Sequence, residues 1–176
     1  VGPISFSGSK IAMESPKLTG FRKDNRPYEV VATAAFQDIR TPNVIELKDM
    51  KARLAVDDSG GMARLVSKLG VFDTGKEHLD LKDNIRVWTE KGEEVLLRSA
   101  AIDFKTGTAV SNEPVSITTP TMKLQAQGMT LSDNGRSVAF TGRVRTTLIP
   151  SRDRAAADTR AGAAPRYTQA ETGDRP

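Results

Sequence analysis

The chain has 176 residues, no cysteine and a formal net charge of +4, with charged residues making up 27% of it and aromatics only 5%. That length accommodates one domain of about 140 to 150 residues, and the lack of cysteine removes disulfides and thiolate metal sites. Basic residues are interspersed with acids and not clustered with aromatics, which argues against nucleic acid as a partner and leaves a mildly anionic partner or a lipid headgroup open.

Val1 to Ser15 is rich in Gly and Ser with little periodicity, so residues 1–15 read as a flexible lead-in. The longest uncharged run near the start, Val1 to Ser9, is far short of the roughly 18 apolar residues a membrane span needs. The chain begins at Val1, not Met, so an anchor or signal is expected to precede it. Ser15 to Phe21 then reads as a short first strand, followed by a turn at Lys23 to Pro27. From Tyr28 the alternation places Val30, Ala32, Ala34 and Phe36 on one face.

Thr41-Pro42-Asn43 takes a turn position, and Ile45, Leu47, Met50, Ala52, Leu54 and Val56 follow with a phase slip at Asp49. A one-residue slip flips every later side chain, so Asp49, and likewise Asp83-Asn84, are candidate β-bulges where a strand bends while its apolar face stays inward. Asp57 to Gly61 reads as a hairpin loop. The stretch from Arg64 to Glu90 is the clearest hairpin, with Leu65, Ser67 and Leu69 before the turn at Asp73 to Lys76, and Leu79, Leu81, Ile85 and Val87 after it.

Val95, Leu97, Ser99 and Ala101 face inward in the next unit, which turns at Lys105-Thr106-Gly107, and Pro114 and Pro120 bound the strand between them. The last unit sets Leu124, Ala126 and Gly128 against Val138, Phe140, Val144 and Thr146 across the turn at Ser132 to Gly135. The turn glycines 75, 107 and 135 lie 32 and 28 residues apart, and Leu47-Lys48-Asp49 recurs as Leu81-Lys82-Asp83, the marks of stacked hairpin units. No segment carries a 3.6-residue period. The expected fold is all-β: a single-domain jelly roll, sandwich or open roll of two facing antiparallel sheets over residues 16–150, with a disordered Ala- and Arg-rich tail at 151–176.

The inward positions combine small residues (Ala32, Ala34, Ser67, Ser99, Ala101, Ala126, Gly128) with larger ones around them. Two readings stay open: small residues let two sheets approach closely, or they leave a trough for an apolar guest. The trough reading takes Val30, Ala32, Ala34, Phe36, Leu54, Leu65 and Leu69 from the first half, and Val87, Leu97, Ala101, Leu124, Phe140 and Val144 from the second, as lipid-contacting residues. The matching alternative is a structural or adhesive β-roll with a solid core and no lipid ligand.

Catalytic chemistry finds little support. His78 is the lone histidine beside a turn, Asp57-Asp58 and Glu93-Glu94 read as solvated loop acids, and neither a phosphate-binding loop, a metal cluster nor a cofactor motif accompanies them. Trp88 falls on the outward phase, as a packed side chain or a contact. The run from Ser137 to Leu148 reads as one long edge strand, free to accept another chain's strand or covered by the protein's own N-terminal segment.

Met13 to Phe21, Asn25 to Tyr28, and the repeats carrying Leu47-Lys48-Asp49 and Gly70-Val71-Phe72-Asp73 resemble the LptC family, the bitopic periplasmic component of the lipopolysaccharide export machinery, over roughly Lys10 to Leu148. The repeat is shared with LptA and with the periplasmic domain of the outer-membrane translocon; the lead-in through Tyr28 favours LptC. The resemblance implies an OstA/LptA-like jelly roll of V-shaped twisted sheets that shields lipid A acyl chains, with no covalent intermediate and no cofactor. It implies an N-terminal membrane anchor absent from this chain and a place on the periplasmic side of the inner membrane. It also implies docking of the N-terminal edge, near Leu18 and Phe21, to the LptB2FG inner-membrane transporter. The C-terminal edge, at Val138, Phe140, Val144 and Thr146, would pair with LptA.

Overall fold

Period-two alternation is realised as backbone almost throughout. The structure, a computed structural model, describes residues 2–22, 24–56 and 59–150, so Asp57-Asp58 and the tail at 151–176 lie outside the described residues. Among the described residues the chain forms β1 (Ile4–Ser7), β2 (Lys10–Glu14), β3 (Lys17–Phe21), β4 (Pro27–Val31), β5 (Ala34–Asp38), β6 (Val44–Ala55), β7 (Met62–Asp73), β8 (His78–Thr89), β9 (Glu94–Asp103), β10 (Thr108–Ser111), β11 (Val115–Thr118), β12 (Met122–Ala126), β13 (Gly128–Ser132), β14 (Ser137–Thr141) and β15 (Arg145–Leu148), with one 3-10 turn at Asp133–Gly135. All pairings are antiparallel, and hydrogen bonding links the strands into one sheet.

That sheet is creased along its middle. The four long strands β6 to β9 cross the crease intact, while their neighbours are interrupted there: β2 from β3 at Ser15-Pro16, β4 from β5 at Ala32-Thr33, β10 from β11 at Asn112 to Pro114, β12 from β13 at Gln127, and β14 from β15 at Gly142 to Val144. One leaf therefore runs β1-β2-β5, the first halves of β6 and β8 and the second halves of β7 and β9, then β10-β13-β14; the other runs β3-β4, the complementary halves, then β11-β12-β15. The two facing sheets expected from the sequence are the two leaves of this single folded sheet.

Keeping one face inward across a bend requires a break in the alternation. The inward side chains step by three residues on β6 (Leu47 to Met50), on β7 (Gly70 to Ser67) and on β9 (Ala100 to Leu97), while β8 takes one residue more, from Leu81 to Ile85. Asp49, Asp83 and Asn84 absorb the bend with φ of 47°, 63° and 50°, a left-handed conformation that Asp and Asn tolerate better than other residues with a β-carbon. The extra residue appears as register shifts between Val66 and Leu69 and between Lys82 and Ile85. The bulge at Asp83-Asn84 falls where the second phase slip was read, whereas at Asp49 the inward phase steps by three with the β6–β7 register unbroken, so no bulge forms there.

Ser67, 3% exposed, sits inside this crease, its hydroxyl 2.9 Å from the Leu69 carbonyl oxygen and 3.1 Å from that of Lys82. These carbonyls lie beside the register shifts, so a side chain supplies the donor there. Met50 covers Gly70 so closely that a β-carbon on Gly70 would lie 3.0 Å from the Met50 sulfur. Met50, Leu81, Ile85, Leu97, Ala100, Val115, Leu124, Ala126 and Met129 make one buried cluster along the crease.

At the rim of the first leaf the turns are stacked. The Thr74 amide donates to the Asn43 carbonyl at 2.8 Å, Phe104 to Glu77 at 3.0 Å, and Asn134 to Gly107 at 3.2 Å, which continues the sheet ladder through the turns and explains the recurring turn spacing. The carboxylates of Asp73 and Asp103 each accept two backbone amides within their turns, at 2.9–3.1 Å. Arg40 brackets Asp38 with its guanidinium and then its amide, holding that carboxyl well below its ordinary value of 3.8.

Two expectations are corrected. The first fifteen residues are not a featureless lead-in: β1 and β2 form a hairpin whose second strand pairs with β5, because Ile4 and Phe6, then Ile11 and Met13, alternate in register with Ala35. Ser137 to Leu148 is not one strand: Gly142, at φ 77°, breaks it at the crease, so each half is the edge of a different leaf.

Two outcomes test this architecture. Ser67→Ala should lower unfolding free energy by about 1–2 kcal/mol in urea titrations, since it leaves two crease carbonyls without their donor. A depressed carboxyl contributes stability above its unfolded pKa and loses it as pH falls, so the stability gap between wild type and Asp38→Asn should be present at neutral pH and shrink on acidification below about pH 4.

Candidate functional site: an apolar cleft between the leaves

Burial maps the space between the leaves. Inward side chains at the crease are closed off, Leu81 and Ile85 at 1% exposure each, whereas Leu47, Leu65, Leu79, Val87, Val95 and Ile102, one step away on the same strands, are only half-buried. Leaves that diverge from a common line produce this gradient, and a flat sandwich does not. The inward face is thus apolar throughout, closed off at the crease and partly exposed one step beyond it.

The apolar lining reaches both ends. At the N-terminal edge Ile4, Phe6 and Leu18 share the inward face with Met13, Ile11 and Val30 and are 51%, 75% and 51% exposed. At the C-terminal edge Val138 and Leu148 share it with Leu131 and Met122 and are 47% and 77% exposed. Among the described residues β1 and β3 at one end, and β14 and β15 at the other, each pair on one side only. The protein's own N-terminal segment therefore forms the opposite edge and does not cover β14. A depression of about 520 Å³ lies beside β3, bounded by Thr19, Phe21, Pro27, Glu29 and Arg53.

The crease sorts the residues expected to line a trough. Val30, Leu54, Leu65, Val87, Leu97 and Leu124 come together on the inward face of the second leaf, and Phe140 lies on that of the first. Ala32 is buried where the chain crosses the crease. Ala34, Phe36, Leu69 and Ala101 lie outward, because the inward phase passes to Ala35, Gly70 and Ala100 beyond the bend. Phe36 instead meets the Lys48 ammonium, 5.0 Å from its ring centre. Val144 lies between β14 and β15, 48% exposed and outside any strand. Leu47 and Leu79, already in the apolar series read from the sequence, are inward, and so are Ile102, Leu131, Ile4 and Phe6, which the sequence reading did not place.

Of the proposed docking residues, Leu18 and Phe21 lie on β3 and Val138, Phe140 and Thr146 on β14 and β15, all edge strands. His78 pairs with Asp80 at 3.2 Å on the outward face, Glu94 meets Arg86 at 2.6 Å, and Trp88 stacks beneath Arg86 at 4.3 Å on the outward face of the second leaf. Among the described residues no three acidic or histidine side chains converge as a metal site, and no helix is long and apolar enough to cross a membrane.

The family described as lipopolysaccharide-assembly, LptC-related, matches residues 37–149, from β5 through the end of β15. The chain belongs to the LptC family. The match begins beyond Met13 to Tyr28, so it rests on the creased repeats and not on the lead-in that also carried the resemblance. None of the curated proteins matches the chain. LptC membership carries a role in lipopolysaccharide transport, as a transport component of a periplasmic, inner-membrane-associated system.

The cleft of this LptC-family protein has a direct test. An environment-sensitive apolar dye should bind wild type, and Leu65→Glu or Ile117→Glu should reduce its binding severalfold, because a charge on the inward face opposes apolar contact. Phe36→Glu, outward, should leave binding unchanged. Equal binding by all three variants would place the dye elsewhere.

Proposed function

We propose that this protein carries lipopolysaccharide across the space between the inner-membrane transporter and the next periplasmic bridge component, holding the acyl chains in its cleft while the sugars stay in water. The observation that supports this reading is an apolar inward face that continues from Ile4, Phe6 and Leu18 at one edge to Val138 and Leu148 at the other and is accessible at both. In this reading the edge formed by β1 and β3 receives the lipid from LptB2FG, and the edge formed by β14 and β15 passes it to LptA by strand pairing. Each methylene removed from water gains about 0.8 kcal/mol, so partial burial of several acyl chains supplies ample affinity, and release is the harder step. Transfer then needs successive clefts of similar affinity, with direction supplied by an ATPase elsewhere in the complex.

The trough residues of the proposal are Val30, Leu54, Leu65, Val87, Leu97, Leu124 and Phe140, joined by Leu47, Leu79 and Ile102. Photo-crosslinking residues at Leu65 and Leu79 should capture lipopolysaccharide in cells, and the same residue at Phe36 or Ala101 should not. At Val138 and Thr146 it should capture the LptA-like partner, and at Leu18 and Phe21 the transporter. Lipid adducts at outward positions with none at inward ones would favour a solid-core interaction module instead.

A further inference from the structure

The outward faces of the two leaves differ in charge. On the second leaf Lys51 and Arg53 of β6, Arg64 of β7, Arg86 of β8, and Lys123 and Arg145 of β12 and β15 are all exposed. Acids that meet that face are held in ion pairs, Glu29 by Lys17 at 3.1 Å, Glu94 by Arg86 at 2.6 Å and Glu90 by Arg64 at 3.7 Å. The first leaf's outward face is mixed, carrying Glu14, Glu46, Asp80 and Asp103 together with Lys10, Lys48 and Lys82. Cations outnumber acids on the second leaf's outward face, whereas the first leaf's outward face mixes both signs.

One arrangement on the basic face opposes folding. Arg53 and Arg64 are directly opposite each other on β6 and β7, a like-charge pair that destabilises a ladder. Arg64 has a distant partner in Glu90 at 3.7 Å, and among the described residues no carboxylate lies within 4.0 Å of Arg53, Lys51, Lys123 or Arg145. The same face carries Trp88, the only tryptophan of the chain, and Leu96, 44% exposed beside a shallow depression of about 350 Å³ edged by Arg98, Ser116 and Gln125. Basic side chains around an amphipathic indole match the headgroup level of a bilayer.

We propose that the outward face of the second leaf docks on an anionic phospholipid bilayer surface, with its arginines and lysines against the headgroups and Trp88 at the interface. A small anion would need donors converging in a concavity, whereas these cations are spread over the outside of a sheet, as a plane of headgroup charge requires. The face is opposite the cleft, so docking leaves the inward face free.

Trp88 reports the outcome directly by its fluorescence. Phosphatidylglycerol-containing vesicles at low salt should shift its emission to the blue, brominated lipids should quench it, and pure phosphatidylcholine vesicles should do neither. Raising salt from about 0.05 M to about 0.5 M, which shortens the Debye length severalfold, should release the protein. The double variant Arg53→Glu/Arg64→Glu should weaken partitioning about tenfold or more, while Lys10→Glu on the first leaf's outward face should not. Leu65→Glu, which impairs the cleft, should still bind vesicles, so failure of the cleft reading and failure of this one are distinguishable. Equal binding to neutral vesicles, or undiminished binding by the double variant, would overturn the proposal. So would a blue shift that follows protein concentration without vesicles, which would assign the face to the acidic surface of a second copy.

Discussion

The structure depends on one backbone constraint: a sheet that bends must keep its apolar face inward on both sides of the bend. A chain with a strict period of two cannot do this, because the fold line lies across the strands and each strand must lose or gain a position there. Asp49, Asp83 and Asn84 adopt left-handed conformations to supply the change, and Ser67 supplies a hydroxyl beside the carbonyls that the bulges shift out of register. β9 crosses without a left-handed residue, and the shorter strands are interrupted at the fold line, at Ser15-Pro16, Ala32-Thr33, Asn112 to Pro114, Gln127 and Gly142. Intact and broken strands are two solutions to the same requirement.

The cleft follows from the crease. Small side chains, Ser67, Gly70, Ala100 and Ala126, lie at the fold line among the large buried ones, Met50, Leu81, Ile85 and Leu97, that fill it. Leu65, Leu79, Val87 and Ile102 stand further out, where the leaves have separated. A sheet that splays from a line also cannot close on itself, which leaves β1 and β3 at one end and β14 and β15 at the other without partners.

Much of this was legible in the sequence, and the limits have a physical origin. The all-β class, the hairpin turns and the bends at Asp49 and Asp83-Asn84 follow from alternation and turn chemistry, which are local. The repeated Leu-Lys-Asp is visible because β6 and β8 cross the crease with the same residues at the bend. Phase was lost where a crossing carries no signal. Ala32 to Phe36 reads as uninterrupted alternation, and only the Ala32 amide bonding to Pro16 and the Thr33 amide to Lys48 divert the chain there. Leu69 and Ala101 were misassigned for the same reason, since Ser67 to Leu69 and Ser99 to Ala101 continue a pattern that the bend inverts. Gly142 was readable as a turn residue, but within a run of β-prone residues its left-handed backbone becomes evident only when each half is seen paired with a different leaf.

The same inversion bears on electrostatics. Sequence order alternates charges of both signs, and on an unbent sheet they would share faces. The crease assigns outward positions of opposite parity on either side of the bend, so Lys51 and Arg53 belong to one leaf and Glu46 to the other although all three lie on β6. A single strand thus delivers Lys51 and Arg53 to one outer surface and Glu46 with Lys48 to the other while its apolar residues, Leu47, Met50 and Ala52, remain on the continuous inner face. Apolar lining and charged exterior are consequently set by one register, and a substitution that moved the bend by a residue would exchange them together.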